Sequence, residues 1–327
     1  MLRLPPYRYH RPTEVAQALE LMAQHGEEAL LISGGTDLLP NMKHGLFQPR
    51  HLVSLRHIPD LRDIRVLEGQ LRIGAGCTLT QVSRDPLVVE HAPSLAHAAG
   101  QVAGPQLRNM GTIGGNVCLD TRCTYYNQTQ FWRQALGYCL KKDGTVCHVT
   151  KVGKKCVAAH SADTPPVLMT LEASVVLQGA DGITVMPVDD FFVADGIWNT
   201  RRQQDQIVTE IRIPITDSKR RSAYRKLRQR NAIDFPLLSV AVSADLDPDG
   251  GVTAIRGVVS ALGSRPRILT GWDDIATGKR LEDPVVDALA QRAESQCHPL
   301  DNITLDPQWR RAMVPVYVRR ALEGLPN

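Results

Sequence analysis

Two glycine-rich segments constrain the fold of this chain more than any other feature. The first, Ser33-Gly34-Gly35-Thr36-Asp37, follows a short apolar run at residues 29–32 that is typical of a buried strand. The second is Gly111-Thr112-Ile113-Gly114-Gly115-Asn116. Backbone N–H groups at such a turn into a helix can hold a pyrophosphate, because they are unpaired and lie at the positive end of the helix dipole. The first segment lacks the G-x-G-x-x-G spacing of a Rossmann fingerprint. Each alone also fits an ordinary turn, whereas the pair predicts a two-sided phosphate clamp.

Composition narrows the class of protein. The 327 residues, 43% of them apolar, can bury one large core or two to three smaller ones. No apolar run approaches the roughly 18–20 residues that span a bilayer, and the first residues lack a signal-peptide pattern, so we expect a cytoplasmic protein with no membrane span. Seven cysteines in such a protein favour reduced thiols for metal or cluster binding over disulfides. A formal charge of +4 is too small to indicate nucleic-acid binding.

The N-terminal half mixes helix and strand patterns. Its first part predicts strand, helix, strand, loop and helix, with the first helix ending at Gly26 and a further strand at residues 52–55. Glu68-Gly69 separates two short strands and indicates a hairpin. Helices are predicted near residues 79–84 and 94–99, just before the second glycine segment.

The C-terminal half predicts antiparallel strands followed by helices. A helix is expected at residues 167–171, and strands at 173–177 and 183–188 are expected to pair. We interpret Ser218-Lys219-Arg220-Arg221 as a linker. Beyond it, residues 238–246 and 252–262 predict two long strands joined by a turn at residues 247–251. Asp283-Pro284 and Asp306-Pro307 suit the N-cap and first position of two final helices.

The glycine segments carry a family resemblance. Extended to residues 32–38 and 109–116, they resemble the two FAD signatures of the flavoprotein subunits of molybdenum hydroxylases, the xanthine oxidase family. The resemblance continues at residues 161–166, 210–214, 224–226 and 234–235, and therefore covers nearly the whole chain. It implies an α+β fold, with a two-part FAD-binding domain of the PCMH-like type at residues 1–217 (subdomains about 1–57 and 58–217). A C-terminal antiparallel sheet and helix domain at residues 218–327 is implied as well.

The same resemblance implies which residues contact FAD. Val102 is expected near the ring system, Asp163 at the cofactor's hydroxyls, and Val208 and Lys226 along the flavin. Met110 stands where relatives more usually carry arginine. The pyrophosphate and adenosine half is expected to contact Leu31, Ile32, Ser33, Gly34, Gly35, Thr36, Asp37, Leu38, Gly111, Thr112, Ile113, Gly114, Gly115 and Asn116.

An insertion rich in cysteine separates the second glycine segment from Asp163. Between Asn116 and Asp163 lie 46 residues, where relatives have a short stretch. The excess, about residues 119–159, contains four cysteines that could ligate one zinc ion or one 4Fe–4S cluster. Gaps of fifteen, seven and eight residues between them differ from the C-x₂₋₄-C knuckles of zinc ribbons. Four unligated thiols are a third interpretation. The four residues are Cys123, Cys139, Cys147 and Cys156.

Glycine loops and cysteine insertion together resemble the medium subunits of 4-hydroxybenzoyl-CoA reductases, which carry an extra 4Fe–4S cluster on an inserted loop. That resemblance implies that these four cysteines bind the cluster. We interpret Cys77, Cys118 and Cys297 as buried thiols of the core, with Cys118 on the next strand. It also implies an electron-transfer subunit, inactive alone, within a dimer of heterotrimers. Electrons would pass from a ferredoxin-like donor, through this chain and a 2Fe–2S small subunit, to a molybdenum-cofactor large subunit. The reaction there would be the reductive dehydroxylation of the aromatic ring in anaerobic aromatic degradation.

Other functions stay open from the sequence. One is a hydroxylase flavin subunit that passes electrons to NAD or a quinone and holds structural zinc in the insertion. Others are a self-contained flavin reductase and a metal-binding assembly module without flavin. His148 and His160 are expected to be structural. The insertion's lysines predict either a solvated face or a docking surface for an acidic donor, and they are Lys141, Lys142, Lys151, Lys154 and Lys155.

Overall fold

A small parallel sheet begins the fold. The structure is a computed structural model that describes residues 2–216 and 220–326. Its first elements are β1 (Arg8–His10), α1 (Val15–His25), β2 (Ala29–Ile32), α2 (Leu38–Lys43) and β3 (His51–Ser54). Strand β3 lies between β1 and β2 and is parallel to both. Ala18 and Met22 on one face of α1 pack against Val53 of β3. The helix ends at Gly26, as predicted, and this glycine has a φ of +51°.

A five-stranded antiparallel sheet follows. Its strands are β4 (Ile64–Leu67), β5 (Gln70–Gly74), β6 (Ser174–Gly179), β7 (Gly182–Pro187) and β8 (Ile207–Pro214). Their order in the sheet is β4-β5-β8-β6-β7. Glu68 and Gly69 both have positive φ, which is the geometry of a two-residue type I′ turn, so the predicted hairpin is confirmed.

Seven helices lie in the chain between β5 and β6, and an eighth follows β7. They are α3 (Leu79–Arg84), α4 (Pro86–His91), α5 (Pro93–Gln101), α6 (Pro105–Arg108), α7 (Ile113–Val117), α8 (Gln130–Leu136), α9 (Thr164–Thr170) and α10 (Val188–Phe191). Helix α9 begins before the predicted residue 167, because Pro165 and Pro166 fit the first turn of a helix. Together with the second sheet, α3, α5 and α9 enclose the largest apolar core.

A four-stranded antiparallel sheet and three helices complete the chain. They are β9 (Arg221–Leu227), β10 (Leu238–Leu246), β11 (Val252–Ser260), β12 (Arg267–Ile268), α11 (Trp272–Ala276), α12 (Asp283–Gln296) and α13 (Pro307–Leu322). The strand order is β12-β11-β10-β9. One face of this sheet packs on α11 and α13, and the other packs on α5 and α9. Two buried hydrogen bonds join the latter layers, from Ser222 Oγ to Ser94 Oγ and from Ser243 Oγ to the Thr170 carbonyl.

The predicted α+β fold is therefore confirmed, with local corrections. Cys118 follows helix α7 as its C-cap and is not on a strand, because the glycine segment coils into a helix and ends there. Glu282, not Asp283, is the N-cap of α12, so Pro284 is the second helical residue. Strands β8, β9 and β12 are absent from the prediction.

The predicted linker is only partly described. Ser218, Lys219 and the boundary at residue 217 lie outside the described residues, while Arg221 already begins β9. Along residues 2–216 and 220–326, no helix is both long and apolar enough to cross a bilayer.

Close packing of α11 on β11 requires a glycine in the strand. A Cβ built on Gly257 would lie 2.5 Å from ring atoms of Trp272, which is buried. We expect Gly257→Ala to lower the free energy of unfolding by about 1–3 kcal/mol, the usual cost of overpacking. Gly263→Ala is the control, because its Cβ would meet no atom within 4 Å. Urea unfolding of both variants measures the difference; equal midpoints would show that Trp272 has room to shift.

Candidate functional site

Both glycine segments line one cavity of about 730 Å³. This volume lies within the range of about 300–1,000 Å³ that is usual for organic-ligand pockets. The first segment connects β2 to α2, and the second leads into α7, so each has the predicted position at the start of a helix. The cavity is therefore walled on two sides by turns whose backbone approaches its interior.

The two segments touch each other directly. A Cβ on Gly34 would overlap the carbonyl oxygen of Met110, so only glycine permits this approach. The Thr112 hydroxyl donates to Ser33 Oγ over 3.0 Å and also accepts from the N–H of Gly115 as the N-cap of α7. These contacts make a single rigid clamp from residues almost eighty positions apart.

The buried carboxylate of Asp163 lies in the wall of the same cavity. Both oxygens of Asp163 are hydrogen-bonded: the Tyr224 hydroxyl donates to Oδ1 over 2.6 Å, and Lys226 Nζ donates to Oδ2 over 3.0 Å. Asn116 Oδ1 accepts from both the N–H and the hydroxyl of Thr164. The glycine segment, the start of α9 and strand β9 thereby form one network.

Burial controls the titration of this network. It raises the pKa of Asp163, although the Lys226 ammonium and the Tyr224 hydroxyl act in the opposite direction. Burial also lowers the pKa of Lys226, against the attraction of Asp163, and raises that of Tyr224 well above its usual range. The Tyr224 hydroxyl and the Lys226 ammonium therefore both donate to the Asp163 carboxylate and hold it in place.

Most residues expected to contact FAD line the cavity. Lys226 does not: its ammonium lies behind the wall, on Asp163 and the Gln101 carbonyl, and Ile113 is buried in the apolar core. The predicted residues that do line it are Leu31, Ile32, Ser33, Gly34, Gly35, Thr36, Asp37, Leu38, Val102, Gly111, Thr112, Gly114, Gly115, Asn116, Asp163 and Val208.

The insertion also contributes to the cavity, which the sequence did not reveal. Arg122 Nη1 donates to Asp37 Oδ1 over 3.0 Å, and its guanidinium lies 4.0 Å from the ring centre of Phe235. Burial raises the pKa of Asp37 to about 6, even though Arg122 lowers it. The only sequence signal that Arg122 lines this cavity is its position close after the second glycine segment.

The four cysteines of the insertion converge on a second, smaller cavity. Cys123, Cys139, Cys147 and Cys156 all line it, and all four are free thiols. The base of the insertion is closed by paired backbone hydrogen bonds between Arg122 and Ala159. Chain segments up to 33 residues apart in sequence thus deliver thiols to one place.

Spacing and surroundings of the thiols distinguish between metal centres. Among the described residues, no three of these sulfurs lie within 4.8 Å of one another. A tetrahedral zinc centre with Zn–S of about 2.3 Å brings its sulfurs to about 3.8 Å. A four-iron cluster holds them farther apart, because each thiolate binds a different iron. The residues present fit the cluster better, although the cavity of about 20 Å³ shows that the thiols must spread to admit it.

Hydrogen bonds already act on these sulfurs. Burial raises the pKa of Cys123 to about 11, and the other three thiols add to this. At Cys147, burial is outweighed by hydrogen bonds from the Thr150 hydroxyl and from backbone N–H groups, so the pKa is lowered. Burial raises the pKa of Cys156 against the N–H of Ala158 and a nearby ammonium. Such donors stabilise thiolate ligands.

Lys141 supplies that ammonium and lies between the two cavities. Its side chain is 4% exposed, and Nζ donates to Asp120 Oδ1 over 2.6 Å and to the Gly196 carbonyl over 2.7 Å. It also lies 4.6 Å from the ring centre of Tyr126. Lys141 and Tyr126 line both cavities. Lys141 is therefore neither solvated nor a docking residue, whereas Lys151, Lys154 and Lys155 are exposed.

The other candidate ligands either lie outside the cysteine cavity or already contact another group. Cys118 lines the large cavity rather than the cysteine cavity. His148 lines the cysteine cavity, but its Nε2 lies 2.6 Å from the Tyr138 carbonyl. His160 is buried against Ser260 Oγ, and burial lowers its pKa to about 3.

Comparison with known protein families accounts for both halves of the chain. Residues 5–216 match the family described as FAD binding domain in molybdopterin dehydrogenase. Residues 222–325 match the CO dehydrogenase flavoprotein C-terminal domain. Neither description names an iron–sulfur centre.

Individual relatives and solved structures agree with these two family matches. The carbon monoxide dehydrogenase medium chain of Hydrogenophaga pseudoflava is 30% identical over 98% of this chain and 97% of its own length. A xanthine dehydrogenase FAD-binding subunit of Escherichia coli O157:H7 is 24% identical over 96% and 94%. A solved structure of the Hydrogenophaga enzyme superposes with a TM-score of 0.80 at 29% identity, covering 98% of this chain and 97% of that one. Quinoline 2-oxidoreductase from Pseudomonas putida 86 shares the fold, with a TM-score of 0.80 at 21% identity and the same coverage.

The second glycine segment provides a direct test of FAD binding. A Cβ on Gly115 would meet only Thr112 Oγ1, at 3.1 Å, so an aspartate there can extend into the cavity. Its carboxylate would repel the pyrophosphate, and we expect Gly115→Asp to weaken FAD binding at least about tenfold, equivalent to roughly 1.4 kcal/mol. Flavin absorbance per folded chain measures the loss. Gly263→Asp, which adds the same charge outside the cavity, should retain FAD; full FAD in folded Gly115→Asp would contradict the assignment.

Proposed function

The chain belongs to the family of FAD-binding subunits of molybdenum hydroxylases, and from this premise we propose that it is the FAD and 4Fe–4S subunit of a 4-hydroxybenzoyl-CoA reductase. One observation carries the proposal: four free thiols of the insertion converge on a cavity beside the FAD cavity. Family membership makes the chain an oxidoreductase subunit, and the added thiols indicate a second redox centre.

Two features support a cluster over a structural zinc ion. Among the described residues no three of the sulfurs lie within 4.8 Å of one another, and N–H groups together with the Lys141 ammonium surround them. Positive charge and hydrogen bonds near thiolates raise the potential of a cluster by stabilising its reduced form. A structural zinc ion has no redox chemistry, so it would have no functional reason to lie beside a flavin.

The residues between the cavities organise a short route for electrons. When bound, FAD can exchange one or two electrons and an iron–sulfur cluster exchanges one. Tyr126 and Lys141 form the wall that the two cavities share. The Tyr126 hydroxyl donates to Asp120 Oδ2 over 2.8 Å, and Lys141 bonds the other oxygen of Asp120. This network holds the buried Tyr126 and Lys141 side chains in place in the wall between the two cavities.

The proposed reaction takes place on a partner subunit. Two electrons and two protons convert the phenolic C–OH of the CoA ester into C–H and release water. The names of the relatives, medium chain and FAD-binding subunit, support an assembly with a molybdenum-cofactor large subunit and a 2Fe–2S small subunit. We place the complex, a dimer of heterotrimers, in the cytoplasm, where thiols stay reduced.

An exposed edge of the insertion suits the electron donor. Lys151, Lys154 and Lys155 are exposed beside the cysteine cavity, and Val152 among them is 92% exposed. An acidic, ferredoxin-like protein would match this positive charge. The donor would then dock close to the cluster rather than to the FAD cavity.

Serine variants test the ligand set. A hydroxyl is a poor ligand for iron compared with a thiolate, so Cys123→Ser, Cys139→Ser, Cys147→Ser and Cys156→Ser should each lose or degrade the cluster. FAD should remain, because the glycine segments and Asp163 lie outside the insertion. Iron, acid-labile sulfide and FAD are quantified, with electron paramagnetic resonance of the reduced samples.

Cys118→Ser is the matched control and should retain both centres. Full cluster occupancy in Cys139→Ser, or its loss in Cys118→Ser, would show that the ligand set is wrong. Zinc instead of iron in the native protein would favour a hydroxylase subunit with a structural metal.

Reconstitution tests the relay. We expect the assembled three-subunit complex, supplied with a reduced ferredoxin, to dehydroxylate 4-hydroxybenzoyl-CoA, and this chain alone to show no turnover. Liquid chromatography of the CoA ester product measures both. Turnover by the isolated chain would identify it instead as a self-contained flavin reductase.

A further inference from the structure

Three histidines gather at a place apart from both cavities. His10 is the last residue of β1, His25 the last of α1, and His51 the first of β3. One ring nitrogen of each lies within 4.8 Å of the other two. His10 Nε2 and His51 Nδ1 are 2.9 Å apart. Two strands of the first sheet and the helix that packs on it thus present three donor atoms to one point.

The rings form a half-buried stack. Those of His25 and His51 are 3.7 Å apart and nearly parallel, with an interplanar angle of 10°. The ring of His10 lies 5.1 Å from His51 and 5.3 Å from His25. Three imidazolium cations could not remain this close without strong repulsion, so the arrangement suits neutral rings with available lone pairs.

A neighbouring carboxylate, that of Glu28, pairs with Arg50 at 3.1 Å. Neutral imidazole is the form of histidine that ligates a metal.

We propose that His10, His25 and His51 bind one divalent transition-metal ion of the zinc class, independently of FAD and of the cysteine cavity. Imidazole nitrogens suit Zn²⁺, and a three-histidine set leaves further positions for water. Binding replaces the contact between His10 and His51 and requires the rings to turn out of their stack. The ion would tie the three-residue strand β1 to α1 and β3, and so stabilise the edge of the first sheet.

The test is metal binding by the full-length, FAD-containing chain after chelator treatment. All variants are made in a parent chain that carries Cys139→Ser, which removes one cysteine of the other candidate metal centre. Equilibrium dialysis with Zn²⁺ should give one ion per chain, and His25→Gln and His51→Gln should each weaken binding by about tenfold or more. His57→Gln, a half-buried histidine of the same region outside the cluster, is the matched control and should bind normally. FAD content verifies that each variant is folded.

Cobalt identifies the ligands. With Co²⁺ in place of Zn²⁺, the site should show ligand-field absorption without a thiolate charge-transfer band. Zn²⁺ affinity in His25→Gln and His51→Gln equal to that of the parent would overturn the proposal. So would a thiolate band, because the ion would then belong to the remaining cysteines.

Discussion

The buried ion pair between Asp163 and Lys226 is the interaction on which the site depends. Two opposite charges in the interior remain stable only when their other hydrogen-bonding needs are met. Here the Tyr224 hydroxyl and the Gln101 carbonyl meet them. Asp163 stands at the start of α9, and Lys226 lies on β9, so the pair joins the wall of the cavity to the C-terminal sheet. Removing one partner would leave an uncompensated buried charge, a cost of about 3–5 kcal/mol.

The cysteine insertion is held to this frame at several separate points. Arg122 pairs with Asp37 of the first glycine segment, at the base that Arg122 and Ala159 close. The buried guanidinium of Arg133 donates to the His44 carbonyl. The backbone N–H of Thr124 donates to the carbonyl of Asn302 in the C-terminal part. Lys141 adds a contact to the Gly196 carbonyl, between β7 and β8. Because the insertion thus contacts all three sheet-bearing regions, the position of its thiols relative to the FAD cavity is a property of the whole fold.

Local signals predicted much of the fold. The helix that ends at Gly26, the hairpin at Glu68-Gly69 and the long strands β10 and β11 follow from residues that are neighbours in sequence. The prediction missed strand β8, whose partner β5 is distant in the chain, and strand β9, whose charged and apolar residues do not alternate regularly although its partner β10 is the next strand. Cys118 was misplaced on a strand because a short apolar run does not distinguish a strand from one helical turn.

The sequence by itself determined the turn chemistry and the kinds of ligand. Glycine is required where Gly34 meets Met110, and a thiol is a soft ligand, whatever surrounds it. Only the tertiary structure decided where side chains point and what they pair with. It turned Lys226 onto Asp163, buried Lys141 between two cavities, and brought three histidines together. The physical reason is that burial and pairing depend on contacts between residues far apart in the chain, which local patterns do not contain.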